Sequence, residues 1–116
     1  MKTINKLLEV MMRTIKFTNT SNIKITVTLK EKNHTETYKK DIYPQSSVLF
    51  ETQRNEYHIE YCNIFMSIDK YLIDQTFTST SSLSYLEEIF YSSHEFEIYF
   101  DVFSYGILLV SVDKEG

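Results

Sequence analysis

Apolar and polar residues alternate with a period of two through much of the chain, which is typical of β-strands with one face on a core. The alternation is clearest over residues 15–18 and 23–30, on either side of a polar turn at 19–22, and it returns over residues 95–102. We predict that the first two segments pair as a β-hairpin whose Lys and Thr side chains face solvent.

Weaker alternation predicts further strands around residues 35–42, 48–50 and 57–61, and Pro44 ends the first of these because it cannot donate to a strand ladder. The last strand covers residues 107–112 and is paired through a turn with the strand at 95–102. Because it is apolar on both faces, we predict a central position in its sheet.

Two segments carry a helical period instead. Residues 3–11 place the apolar side chains of Ile4, Leu7, Leu8 and Met11 on one face of a short helix. Residues 83–91 begin with a capping box formed by Ser84 and Glu87. Residues 64–77 fit either a helix face or two strands joined at Asp69-Lys70, and we favour the strands.

These elements predict a mainly β protein: a single antiparallel β-sandwich of seven or eight strands, with a short N-terminal helix and one short helix near 83–91. The length of 116 residues fits one domain. We assign residues 13–116 to that domain and residues 1–12 to an amphipathic arm.

Composition narrows the class of protein. No apolar run approaches the ~18 residues of a membrane span, and Cys62 is the one cysteine, so a disulfide scaffold is excluded. The N-terminus lacks the pattern of a signal peptide, which predicts an intracellular, cytoplasmic protein. The absence of Ala and Trp and the ratio of ten Lys to two Arg indicate an AT-rich genome, such as that of a virus, and a location in a virion is compatible with this.

One constellation could carry chemistry. His58, Glu60 and Cys62 alternate along a predicted strand, but residues four apart on a strand are separated by about 13 Å, so His58 and Cys62 cannot form a catalytic dyad alone. The three histidines are scattered, and phosphate-binding or zinc motifs are absent from the sequence. We therefore predict a non-enzymatic protein that needs no metal or cofactor.

The distribution of charge is strongly asymmetric. Residues 1–40 carry nine Lys or Arg and three Glu, a net charge of +6, whereas residues 41–116 carry three Lys or Arg and thirteen Asp or Glu, a net charge of −10. Three interpretations are open: cross-strand pairing within the molecule, recognition of another protein or of a second copy, and binding of an anionic target. A net charge of −4 and only two Arg argue against nucleic acid.

The function predicted from the sequence is protein–protein interaction or assembly, through a basic N-terminal hairpin and an acidic C-terminal hairpin. The alternative is a small inhibitor or immunity-type protein whose acidic surface masks a basic site on its partner. The predicted interaction residues are Lys16, Lys24 and Lys30 on the basic side, Glu95, Glu97 and Asp101 on the acidic side, and Ile4, Leu7, Leu8 and Met11 on the arm.

Overall fold

The computed structural model describes residues 13–31, 35–52, 59–78 and 94–112, and this part of the chain is mainly β. It contains eight strands: β1 (Arg13–Asn19), β2 (Ile25–Glu31), β3 (Thr37–Ile42), β4 (Ser47–Thr52), β5 (Ile59–Ile68), β6 (Tyr71–Thr78), β7 (Glu95–Asp101) and β8 (Gly106–Ser111). They form two four-stranded sheets. Sheet A has the order β4-β1-β7-β8 and sheet B the order β3-β2-β5-β6.

One hydrophobic core joins the two sheets. The alternation predicted for β2 is confirmed, since Ile25, Val27 and Leu29 are buried and the residues between them are partly exposed. In sheet A, the ring of Phe17 lies between those of Phe50 and Phe96, with centroid distances of 5.4 and 5.6 Å. Buried residues of both sheets belong to a single cluster, and burying each large apolar side chain contributes roughly 1.5–3 kcal/mol.

The predicted first hairpin is wrong. β1 pairs with β4 and β7, whereas β2 pairs with β3 and β5, so the chain crosses between the sheets at residues 20–24. Alternation shows which face of a strand is buried, but a hairpin and a crossing between two packed sheets bury the same faces.

The pairing is also not wholly antiparallel. β1 lies parallel to β7, with Lys16 opposite Glu95, while the other pairings are antiparallel. The predicted pairing of the last two strands is confirmed, but β8 lies at the edge of sheet A rather than at its centre. Its second apolar face, at Leu108 and Val110, is exposed to solvent instead of being covered.

Residues 64–77 form parts of β5 and β6, which meet at the turn Asp69-Lys70, so the preference for strands is confirmed. Asp69 has a φ of 53°, a left-handed conformation that Asp tolerates better than most residues. The structure shows no helix within its described ranges. The helices predicted at 3–11 and 83–91 lie outside those ranges.

At each lateral edge of the molecule, one side chain crosses between the sheets. On one side, Lys40 of β3 donates a hydrogen bond to the carbonyl oxygen of Leu49 in β4, at 2.5 Å. On the other side, the backbone N–H of Ile107 in β8 donates to the Gln75 side-chain oxygen of β6, at 3.1 Å. Strand edges carry exposed backbone groups that invite pairing, and these two bonds satisfy part of them.

The connections 20–24, 43–46, 69–70 and 102–105 lie together at one end of the two sheets, which we call the turn end. The buried side chain of Asn19 organises it. Its amide nitrogen donates to the carbonyl oxygens of Ile23 and Ile42, at 2.7 and 2.9 Å, and its oxygen accepts from the backbone N–H of Ser21. One side chain therefore joins two of the four connections.

This network predicts a large effect of Asn19→Ala on stability. The substitution removes this donor from the buried Ile42 carbonyl and from the partly buried Ile23 carbonyl, which keeps a hydrogen bond from the Ser21 hydroxyl. A buried group that loses its partner costs about 1–3 kcal/mol, so we expect the free energy of unfolding, measured by urea titration, to fall by about 2 kcal/mol. Asn22→Ala, in the same connection but exposed, is the matched control. Equal stability of the two variants would contradict the role of Asn19.

Candidate interaction site

Exposed apolar side chains are concentrated at the turn end. The β5–β6 and β7–β8 connections and the residues next to them present five such side chains, which we call the aromatic tip: Tyr71, Leu72, Val102, Phe103 and Tyr105. Phe103 is 93% exposed, more than any other large apolar residue in the described ranges. Exposed apolar groups that cluster in this way are typical of binding surfaces.

The tip is anchored to the body of the protein through Tyr105. Its ring centroid lies 5.9 Å from that of Tyr71 in sheet B and 6.0 Å from that of Phe100 in sheet A. Phe100 in turn packs against the hydrophobic core. The two turns, which belong to different sheets, are therefore held together by aromatic contacts.

Hydrogen bonds hold the turn that carries Phe103. The Asp101 carboxylate accepts from the backbone N–H of Phe103 at 3.0 Å and from the Ser104 hydroxyl at 2.9 Å. These bonds favour the ionised form and lower the pKa of Asp101. Tyr105 follows with a φ of 56°, which completes the reversal before β8. Phe103 is thus presented on an ordered turn.

A second surface lies at the lateral edge where β3 faces β4. This edge groove has a volume of about 570 Å³. Its lining comes from two strands: Tyr38, Lys39 and Lys40 of β3 and Val48, Leu49, Phe50 and Glu51 of β4. The Lys40 ammonium lies 5.6 Å from the Phe50 ring centroid, within the range of a cation–π contact. The groove therefore combines apolar side chains with two lysines, Lys39 and Lys40.

The predicted basic side is divided by the fold. Lys16 lies in sheet A and bonds to Glu95 at 3.4 Å, whereas Lys30 lies in sheet B and bonds to Glu60 at 3.0 Å. Lys24 is exposed in the crossing between the sheets. These lysines do not form one basic hairpin. Lys16 and Lys30 each pair with a carboxylate on a neighbouring strand instead.

The predicted acidic residues do share one face, since Glu95, Glu97 and Asp101 alternate along β7. Glu97 accepts a hydrogen bond from the Tyr99 hydroxyl at 2.7 Å, which raises the pKa of Tyr99. Each of the three carboxylates therefore has a partner within the molecule. Ile4, Leu7, Leu8 and Met11 lie outside the described residues, so the arm stays a prediction.

The grouping of His58, Glu60 and Cys62 on one face is not found. The ladder between β2 and β5 shifts after Lys30, and Glu60 is the extra residue of a β-bulge. Cys62 consequently points into the core, where burial raises the pKa of its thiol. His58 lies outside the described residues. Within those residues, no group of three His, Cys, Asp or Glu is placed to hold a metal.

Sequence reasoning did not single out the aromatic tip. Its signal was two aromatic side chains, Phe103 and Tyr105, next to Gly106 in a turn, where polar residues are usual. In the part of the chain that is described, no helix has the length and apolarity to cross a membrane. Comparison with family models, curated proteins and solved structures found no match.

The buried thiol predicts a loss of stability at high pH. Because the pKa of Cys62 is raised above its ordinary value of 9.0, its contribution to stability is complete below that pH and is lost as the pH rises. The loss reaches at most ~1.4 kcal/mol per pH unit. Urea unfolding of the wild type and of Cys62→Ala, from about pH 8 to about pH 10.5, measures the difference. Parallel pH profiles would contradict the prediction.

The lowered pKa of Asp101 predicts a loss of stability at low pH. Its pKa lies below the ordinary value of 3.8, so its contribution to stability is present above that pH and is lost as the pH falls. In Ser104→Ala, which removes one donor, we expect the pKa of Asp101 to rise toward its ordinary value. Titration of the carboxyl carbon by NMR measures this. An identical titration in both proteins would show that the Ser104 hydrogen bond is absent in solution.

Proposed function

We propose that this chain is a non-enzymatic protein-interaction component that binds through the aromatic tip. The observation that carries the proposal is Phe103, which is almost fully exposed on a turn held by Asp101 and Ser104. Aromatic side chains that fill a pocket on a partner dominate the energetics of many interfaces. An ordered turn also lowers the entropy lost when the contact forms.

The charges around the tip favour a protein partner over a membrane. Asp69 lies in the β5–β6 turn and Asp101 next to the β7–β8 turn, and both are exposed. Lys70 is the one lysine in these two turns. A net negative rim is repelled by the anionic headgroups of a cytoplasmic leaflet. The partner that fits this chemistry is a protein surface with an apolar pocket and a basic rim.

The fold supports a rigid binding module. We interpret residues 13–116 as one β-sandwich domain because the buried side chains of both sheets form a single cluster. Residues 1–12, as an amphipathic arm, would offer a second contact surface. An intracellular or virion location and an origin in an AT-rich genome stay predictions from composition.

The inhibitor hypothesis needs acidic side chains that are available to a basic partner. Glu95 pairs with Lys16, and Glu97 accepts a hydrogen bond from Tyr99. Two of the three acidic side chains of β7 are therefore already engaged, which favours binding through apolar contacts instead. The inhibitor would still be the better description if neutralising Glu97 weakened binding more than Phe103→Ser did.

The test compares Phe103→Ser with a matched control, Leu108→Ser, which also removes an exposed apolar side chain. Proteins captured from the native host by the wild type are identified, purified and titrated calorimetrically against each variant. We expect Phe103→Ser to weaken binding at least ~10-fold and Leu108→Ser to change it less than ~2-fold.

Two outcomes would overturn the proposal. One is equal affinity of the wild type and Phe103→Ser for the purified partner. The other is Phe103-dependent sedimentation with phosphatidylcholine–phosphatidylserine vesicles in the absence of any protein partner, which would identify the tip as a membrane contact.

A further inference from the structure

Building on the proposed function, we infer that the partner is a second copy of this chain, whose edge groove receives Phe103 from the aromatic tip. Both halves of this contact are present on one molecule. The tip offers a protruding phenyl ring, and the groove offers the half-buried side chains of Tyr38 and Val48, the exposed side chain of Leu49 and two lysines.

The groove is large enough to hold the Phe103 ring. The groove has a volume of about 570 Å³, and a cavity of about 150 Å³ already binds benzene. Val48 and Leu49 supply the accessible apolar surface of β4 in the groove, and Lys40, which donates to the Leu49 carbonyl, covers the buried ring of Phe50. The groove can therefore hold one phenyl ring together with parts of the turn that carries it.

The net charges of the groove and the tip are opposite in sign. Lys39 and Lys40 lie at the groove, with Glu51 as the one carboxylate in its lining. At the tip, the positive charge of Lys70 offsets only one of the two carboxylates, Asp69 and Asp101. A net positive groove therefore meets a net negative tip, which favours this pairing over tip against tip or groove against groove.

The two surfaces lie at different places on the molecule. The tip is at the turn end beside β6 and β8, and the groove is at the opposite lateral edge, between β3 and β4. One copy can use both at the same time. A contact of this heterologous kind closes into a ring or continues as an array, depending on the rotation between copies.

The first experiment is light scattering on the full chain over a range of concentration and salt. We expect a mass above the monomer value of 13.8 kDa, which falls as salt is raised because exposed charges are screened. Phe103→Ser and Leu49→Asp should each weaken association at least ~10-fold, because the first changes the tip and the second changes the lining of the groove. Leu108→Ser is the control, and circular dichroism checks that all variants keep the wild-type fold.

The decisive experiment mixes the two weakened variants. Phe103→Ser keeps an intact groove and Leu49→Asp keeps an intact tip, so an equimolar mixture should form a complex of two chains that grows no further. A contact that used the same surface on both copies would not be restored by mixing.

The failures of the two proposals are distinguishable. A wild-type chain that stays monomeric overturns self-association, and the function proposed for the tip stands if Phe103→Ser still loses a different protein partner. A mixture without the two-chain complex overturns the pairing of tip with groove. Loss of association in Leu108→Ser but not in Phe103→Ser would place the contact at β8 and overturn the inference as well.

Discussion

The hydrogen bonds of the buried Asn19 side chain connect the two sheets at the turn end. Asn19 ends β1 in sheet A, yet it donates to Ile23, before β2, and to Ile42, at the end of β3. Its backbone carbonyl also accepts from the N–H of Gln45, in the connection that returns the chain to sheet A. The two crossings at the turn end, from β1 to β2 and from β3 to β4, therefore both depend on one residue. A hydrophobic core alone would not fix their relative position, because apolar contacts have no direction.

The order of the strands in the two sheets creates both surfaces discussed above. Since β3 leads directly into β4 through the turn end, these strands become facing edges, and Lys40 bridges the gap between them. That gap is the edge groove. On the far side, β6 and β8 are facing edges joined through Gln75, and the turns that begin these strands form the aromatic tip. The groove and the tip thus follow from one topology, in which each sheet contributes one strand to each lateral edge.

Local patterns in the sequence predicted which side chains of β2 and β7 are buried, and they located the turns. They predicted the pairing of β7 with β8 but not the partners of β1 and β2. Pairing depends on contacts between residues far apart in the chain, and alternation contains no information about these. The bulge at Glu60 shows the limit on a smaller scale. One extra residue shifts the alternation, so that Ile59 and Cys62 both point into the core and Cys62 does not lie beside Glu60.

The charge asymmetry of the sequence predicted one basic hairpin, but the fold divides its lysines between the two sheets. Lys16 and Lys30 are neutralised by carboxylates on neighbouring strands, and exposed pairs of this kind contribute only about 0–1 kcal/mol. A charge that already has a partner must lose it before it can bind another molecule. The exposed ring of Phe103 has no such cost, because its burial against a partner only removes apolar surface from water. If the proposed function holds, we therefore expect the binding energy to be concentrated at the tip and the charges of Asp69 and Asp101 to select the partner.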